Sequence, residues 1–208
     1  MGTLRATLFD FGGVISTSPF EAFARFEQAN GLPVDFLRTL NATNSDTNAW
    51  ARHERNELDF DEFCVAYEGE ALAAGHTINA REVIGCLSGD IRPEMIEAIR
   101  RCRERLRTGM ITNNMAPMNL DDAPTLSFVT ELFDVVIESS KAGVRKPDPK
   151  IYEMACDELG VEPHEVVFLD DLGVNLKPAR EMGMTTIKVL NAAQAIGELE
   201  AATGLTLR

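Results

Sequence analysis

The sequence predicts an α/β protein with a Rossmann-like three-layer fold, in which one parallel sheet lies between helices and a helical cap is inserted after the first strand. Three observations predict it. Short apolar runs recur along the chain and stop at loop-forming residues, as buried parallel strands do. Segments of helical apolar spacing lie between them, the alternation that builds a parallel sheet with helices on its faces. One long stretch, from Ser16 to about Gly89, breaks that alternation and carries helical spacing alone.

Leu4 to Phe9 is the first strand, ending in Asp10-Phe11-Gly12-Gly13. In the inserted stretch, Phe20, Phe23, Ala24 and Glu27 are spaced as one helix, and Phe60, Phe63, Cys64, Tyr67 and Ala71 as another. Aromatic stripes at this spacing favour a core over a ligand box, although a helical lobe hung from a strand end is well placed to cover a site. Arg92 to Arg107 reads as a helix, with Pro93 in its first turn and Ile96, Ile99, Cys102 and Leu106 on one face, closed by the nearby Gly109. Strands follow at Gly109 to Thr112 and Asp134 to Ile137. The next helix is capped by Asp148, started by Pro149, lined by Ile151, Ala155 and Leu159, and ended by Gly160. A strand at Val166 to Leu169, a helix from about Asn175 to Met182 and a strand at Thr185 to Leu190 complete the pattern. Residues 1–15 and 90–208 are therefore expected to form the core domain and 16–89 the helical cap.

A chain of 208 residues with 45% hydrophobic and 25% charged residues buries a core without disulfide staples. Lys and Arg number 20 against 33 Asp and Glu, and the net charge of −13 disfavours nucleic acid and anionic lipid as partners. No apolar run is long enough to span a bilayer, and Met1 to Asp10 reads as a strand, not a leader, so a soluble cytoplasmic protein is expected. Cys64, Cys86, Cys102 and Cys156 form no C-x-x-C pair and read as reduced, largely buried thiols.

In an open parallel sheet, ligands bind beyond the carboxyl ends of the strands. Asp10 stands there after the first strand, Thr112 with Asn113 and Asn114 after the second, and Asp170 with Asp171 after the fourth, while Lys146 lies in a loop before a helix. Each has a use if the substrate is a phosphate ester. A carboxylate can attack phosphorus and form an aspartyl-phosphate, splitting one displacement into two easier ones. Its charge must be neutralised as it approaches, which Mg2+ on carboxylates, a lysine and neutral donors achieve. Asp10, Asp171, Lys146 and Thr112 answer that need. Two other patterns carry less. Cys86 and Arg92 have the Cys-x5-Arg spacing of cysteine phosphatases, but Asp90 inside the loop would repel phosphate. The basic run Arg100, Arg101, Arg103, Arg105 and Arg107 is interleaved with Glu94, Glu97 and Glu104, as on a solvated helix face. His53, His76 and His164 lack metal-ligand spacing, and Trp50, His53 and Arg55 are cap candidates for substrate contact.

Leu8-Phe9-Asp10-Phe11-Gly12-Gly13-Val14-Ile15, Ile111-Thr112-Asn113, Lys146-Pro147-Asp148-Pro149-Lys150-Ile151-Tyr152 and Phe168-Leu169-Asp170-Asp171 resemble, in order, the four motifs of the haloacid dehalogenase superfamily. The resemblance spans the chain, with residues 16–89 in the place of the helical C1-type cap of subclass I. The segment from Phe133 to Gly183 is similar to the phosphatase-like N-terminal domain of soluble epoxide hydrolases, and the chain's end where that domain ends sets the expectation that no epoxide hydrolase domain follows. The resemblance implies that Asp10 is the nucleophile and a Mg2+ ligand, with the Gly12 carbonyl and Asp171 completing the protein ligands and Asp170 in support. It implies that Thr112 and Asn113 hold phosphoryl oxygens, that Lys146 balances the charge on Asp10 and phosphate, and that Asn175 positions the acidic loop.

Gly12 departs from the family's phosphatases, which usually carry there an aspartate that protonates the leaving alkoxide and then activates water. Its loss removes roughly 3 to 5 kcal/mol of barrier lowering. Three consequences are open: substrates with good leaving groups such as acyl, anomeric or aryl phosphates; a proton donor from elsewhere, including the cap; or vestigial turnover. Sugar-1-phosphate phosphatases of the family have a similar Asp-x-Gly motif, which keeps activity in play. The reading is a Mg2+-dependent hydrolase acting on a small phosphorylated metabolite through an aspartyl-phosphate. The alternatives are a 2-haloacid dehalogenase-type hydrolase, whose Asp-x-Tyr-Gly-Thr pattern does not match, and a non-catalytic phospho-ligand binder.

Overall fold

The computed structural model describes residues 3–87, 89–115 and 127–208, so Met1, Gly2 and Ser88 of the expected segments, and 116–126 within the expected core range, lie outside the described residues. Among the described residues, five parallel strands form one sheet: β1 (Ala6–Phe9), β2 (Arg107–Thr112), β3 (Val135–Glu138), β4 (Val166–Asp170) and β5 (Thr185–Lys188), in the order β3-β2-β1-β4-β5. From β1 the chain steps outward through β2 to β3, then crosses to β4 on the other side, so the point where neighbouring connections diverge lies at the carboxyl end of β1. The central strands β1 and β4 are short and wholly buried because both sheet faces are covered there, whereas the edge strand β5 buries only Ile187.

Alternation along β4 shows the layering. Val167 and Leu169 join Phe9 and Met110 on one face, against α6 (Pro93–Arg103) and α11 (Ala192–Thr203). Val166 and Phe168 join Leu8 and Ile111 on the other, against α9 (Pro149–Leu159) and α10 (Gly173–Glu181), while the one-turn helices α7 (Ser127–Thr130) and α8 (Ser139–Ala142) precede and follow β3. Helix α9 has the expected ends: the Asp148 side chain accepts from Lys150 N–H, Pro149 opens the helix, and Gly160 closes it at φ 64°. Two expectations shift. Helix α6 stops at Arg103 and β2 begins at Arg107, so Gly109 is an interior strand residue; a Cβ there would lie 2.6 Å from Leu8 Cδ2, and glycine lets β1 and α9 approach. Helix α10 begins at Gly173, two residues before the expected start, placing Asn175 in its first turn.

Helices α1 (Pro19–Asn30), α2 (Phe36–Ala42), α3 (Ala49–Glu54), α4 (Phe60–Ala73) and α5 (Ala80–Gly85) gather around a third apolar cluster that includes Phe23, Trp50, Phe63 and Tyr67 and takes in Met115 from beyond β2. The chain enters and leaves this helical segment on two antiparallel stretches, bridged at Ser16 and Ile91. Three of its helices are short, and each has one first-turn N–H satisfied by a glutamate from a longer helix. Glu27 of α1 accepts from Leu37 N–H, Glu70 of α4 from Ala49 N–H, and Glu68 of α4 from Ala80 N–H, at 2.9, 2.7 and 3.0 Å. Among the described residues, no helix is long and apolar enough to cross a membrane.

Candidate active site

Asp10 follows β1 directly, and its N–H continues the ladder to Leu169 O at 2.9 Å. That fixes its carboxylate beside the end of β4, where Asp170 and Asp171 lie. Between Asp10 and α1 the chain folds tightly, with Val14, Ile15 and Ser16 N–H all donating to the Phe11 carbonyl. Gly13 lies in this turn at φ 77°, and a Cβ there would stand 2.3 Å from Asp171 Oδ2. Gly12 differs: an added Cβ meets nothing closer than Pro19 Cδ at 3.7 Å.

Lys146 is the centre of the arrangement. Its Nζ lies 2.7 Å from Asp10 Oδ1 and 2.8 Å from Asp170 Oδ2, and the side chain is 1% exposed. The residue is held from behind by Asn113, whose carboxamide donates to Lys146 O at 3.0 Å and accepts from Lys146 N–H at 2.8 Å. Asp170 is saturated with donors: besides Lys146, it accepts from Leu172 N–H at 2.7 Å and from Asn175 Nδ2 at 3.1 Å on both oxygens. The Asn175 carboxamide thus holds the Asp170 carboxylate. Asn114 is committed elsewhere, donating to Glu138 at 2.7 Å and accepting from Ser140 N–H and Oγ. Thr112 ends β2, buried, at the same rim of the sheet.

One oxygen from each of Asp10, Asp170 and Asp171 lies within 4.8 Å of the others. Burial raises the Asp10 carboxyl well above the usual carboxylate range, helped by Asp170 and Asp171 and opposed by Lys146. Asp171 is pushed up to about 6 by burial and by Asp170, with Lys146 and Arg92 pulling the other way. Burial lowers the Lys146 ammonium, but Asp10 and Asp170 outweigh it and hold the group above its ordinary value. One ammonium in direct contact with two of three clustered carboxylates leaves a surplus of negative charge, and the donors are all hard oxygens. The site fits a small divalent cation such as Mg2+ on both counts.

The other sequence candidates lie elsewhere. His53 is 1% exposed, stacks on Phe63 at 4.6 Å and contacts Leu58 O through Nδ1 at 2.9 Å, so it is a core residue. Arg55 pairs with Glu57, and the Trp50 indole donates to Glu54 at 2.8 Å. Cys86 and Arg92 do not converge on a common ligand: the thiol donates to Glu82 O, and the guanidinium to Gly13 O at 2.9 Å. Arg100 and Arg101 pair with Glu97, as a solvated face requires. Cys64, Cys102 and Cys156 are buried free thiols, while Cys86 is half-buried. Sequence reasoning missed Glu54 and Arg145, which form an ion pair at 2.5 Å next to Lys146; the only signal was Arg145 adjoining a site candidate.

A parallel α/β sheet that brings an aspartate, a lysine and an acidic pair together at its switch point is the frame of a hydrolase. The chain belongs to the haloacid dehalogenase-like hydrolases, whose family model matches residues 4–183. It is 34% identical to mouse (Mus musculus) bifunctional epoxide hydrolase 2 over 97% of this chain and 39% of the relative, and so spans about two fifths of that protein's length. A sesquiterpene phosphatase of Aspergillus oryzae is 27% identical over 97% of this chain and 98% of its own. A haloacid dehalogenase family enzyme of Bacteroides thetaiotaomicron, solved with magnesium and inorganic phosphate, superposes with a TM-score of 0.62 at 18% identity, covering 89% of this chain and 93% of that one.

Proposed function

We propose that this hydrolase is a Mg2+-dependent phosphatase that transfers a phosphoryl group from a small phosphorylated metabolite to Asp10 and then to water. The observation that carries the reading is Asp10 itself, a strand-end carboxylate 2.7 Å from a buried ammonium and within a three-carboxylate cluster. The phosphatase relative that matches along nearly its whole length supports it. Asp10, Asp171 and the Gly12 carbonyl are the groups that would hold the cation, with Asp170 in support. Bound there, Mg2+ supplies the positive charge that lets a carboxylate approach a phosphate. Asp10 attacks phosphorus, the leaving oxygen departs with its electron pair, and water then cleaves the acyl phosphate, restoring Asp10. Lys146 fixes Asp10 and offsets its charge, and the Thr112 hydroxyl holds a phosphoryl oxygen. Asn113 acts through its backbone, since its carboxamide is engaged by Lys146. Residues 16–89 serve as the cap over the core formed by 1–15 and 90–208, and the protein works in the cytoplasm with neither nucleic acid nor membrane as partner.

Hydrolysis of an aryl phosphate, with Mg2+ or with chelator, tests the reading on the native chain and Asp10→Asn. Metal-dependent turnover that the substitution abolishes is expected. Halide release from a 2-haloacid without added metal would replace the reading by a dehalogenase. Phosphate binding with no turnover would replace it by a non-catalytic binder.

A further inference from the structure

The residue before Lys146 is held by the helical segment. Arg145 Nε donates to Glu54 Oε2 at 2.5 Å and its Nη1 to Ser45 O at 2.9 Å, so both partners of this guanidinium come from the stretch around α3. The pair is largely buried, with side chains 18% and 8% exposed. The second Glu54 oxygen is occupied by the Trp50 indole N–H at 2.8 Å. Trp50 in turn is wedged edge-on against Phe23 and Phe63, with ring centroids 5.7 and 6.1 Å away. A rigid aromatic core thus holds a carboxylate, the carboxylate holds Arg145, and the next peptide unit belongs to the lysine that bridges Asp10 and Asp170. Asn113 grips that same peptide from the sheet side.

We infer that Glu54 and Arg145 are positioning residues, a clasp through which the helical segment sets the Lys146 backbone and hence the ammonium at Asp10. A long lysine could reach two carboxylates from many backbone positions, and fixing the backbone from both sides selects one. An ordinary surface ion pair would do none of this, because screening and side-chain entropy leave it worth little. This pair is mostly out of water, so removing one partner leaves the other's charge largely buried without its counter-ion.

The inference rests on the phosphatase reading, and the test separates the two. Arg145→Gln, Glu54→Gln, the double variant and Arg145→Lys are compared by aryl phosphate turnover with saturating Mg2+. Each single Gln variant is expected to lower kcat about tenfold with the Mg2+ midpoint unchanged, and the double to be no worse than either single. Arg145→Lys, which keeps the charge for Glu54, is expected to recover part of the loss. Turnover within about twofold of native, or losses that multiply in the double variant, overturns the clasp. Should the native chain show no turnover, the phosphatase reading fails, and the clasp is judged on fluorescence. Trp50 is the single tryptophan of the chain, and it touches Glu54 directly. Its emission should change on adding Mg2+ with inorganic phosphate, and the change should vanish in Arg145→Gln. An equal change in both proteins, or no change in the native chain, overturns the clasp.

Discussion

Replacing Gly12 by aspartate tests the chemistry of the site most sharply. The backbone admits the change: an added Cβ comes no closer than 3.7 Å to Pro19 Cδ, an ordinary contact, and the residue's φ lies outside the left-handed region. The folding cost should then stay within about 0.5 kcal/mol, the usual range for a substitution that disturbs no packing. The new carboxyl would stand two residues from Asp10, in surroundings that already raise Asp10 and Asp171, so it should hold its proton more firmly than a free aspartate. That is what a general acid needs. Such an acid gives about 10² to 10⁴ in rate, or roughly 3 to 5 kcal/mol, but only where the leaving group must be protonated. An alkyl phosphate should therefore gain nearly all of this and an aryl phosphate little. Turnover of both substrates by the native chain, Gly12→Ala and Gly12→Asp is the assay. The alkyl-to-aryl ratio should rise by about a hundredfold or more in Gly12→Asp and stay level in Gly12→Ala. An unchanged ratio in a folded Gly12→Asp that still responds to Mg2+ would refute the assignment of position 12 as the missing acid.

At the neighbouring glycine the same kind of change should be harmful: Gly13→Ala puts a Cβ 2.3 Å from Asp171 Oδ2 at φ 77°, and the Mg2+ midpoint in a thermal-shift titration should weaken about tenfold or more. Asn113→Ala strips both hydrogen bonds from the Lys146 main chain and should cost about 2 kcal/mol in urea unfolding, an unchanged midpoint counting against the role given to it. Because Asp171 is raised to about 6, the metal-free fold gains stability from it at low pH and loses that gain as pH rises through 6, while cation binding needs it ionised. The Mg2+-induced rise in Tm should accordingly be large near pH 7.5 and shrink towards pH 5, and a pH-independent rise would remove Asp171 from the ligands.

The sheet was legible chiefly because β1, β3 and β4 are short apolar runs that stop at polar residues, and every strand-end candidate does sit at one rim. Asp10, Thr112, Asp170 and Asp171 needed only the rule that ligands gather at carboxyl ends. Lys146 needed more, since nothing in a loop lysine's neighbours tells whether its ammonium is wet or buried; the four ordered motifs supplied that. Asn113 was expected to hold a phosphoryl oxygen, and its carboxamide faces the Lys146 main chain, a choice made by a hydrogen bond across 33 residues that spacing does not encode. The Glu54–Arg145 pair is 91 residues apart and leaves no periodic trace. The strand expected from Gly109 begins at Arg107, and the helix expected to reach Arg107 stops at Arg103, because Arg107 and Thr108 carry no apolar signal and read equally well as the end of a helix.

The glutamates that serve the short helices bear on how this protein can change. Helices of six or seven residues such as α2, α3 and α5 are too short to hold together alone in water. Their starts are pinned by α1 and α4, which act as a frame, while α2, α3 and α5 are inserts clipped to it. Inserts of different length or sequence can be exchanged provided one first-turn N–H of each still meets Glu27, Glu70 or Glu68. The helical segment between β1 and α6 can thus be remodelled piece by piece, its contour altered while the frame and the sheet stay as they are.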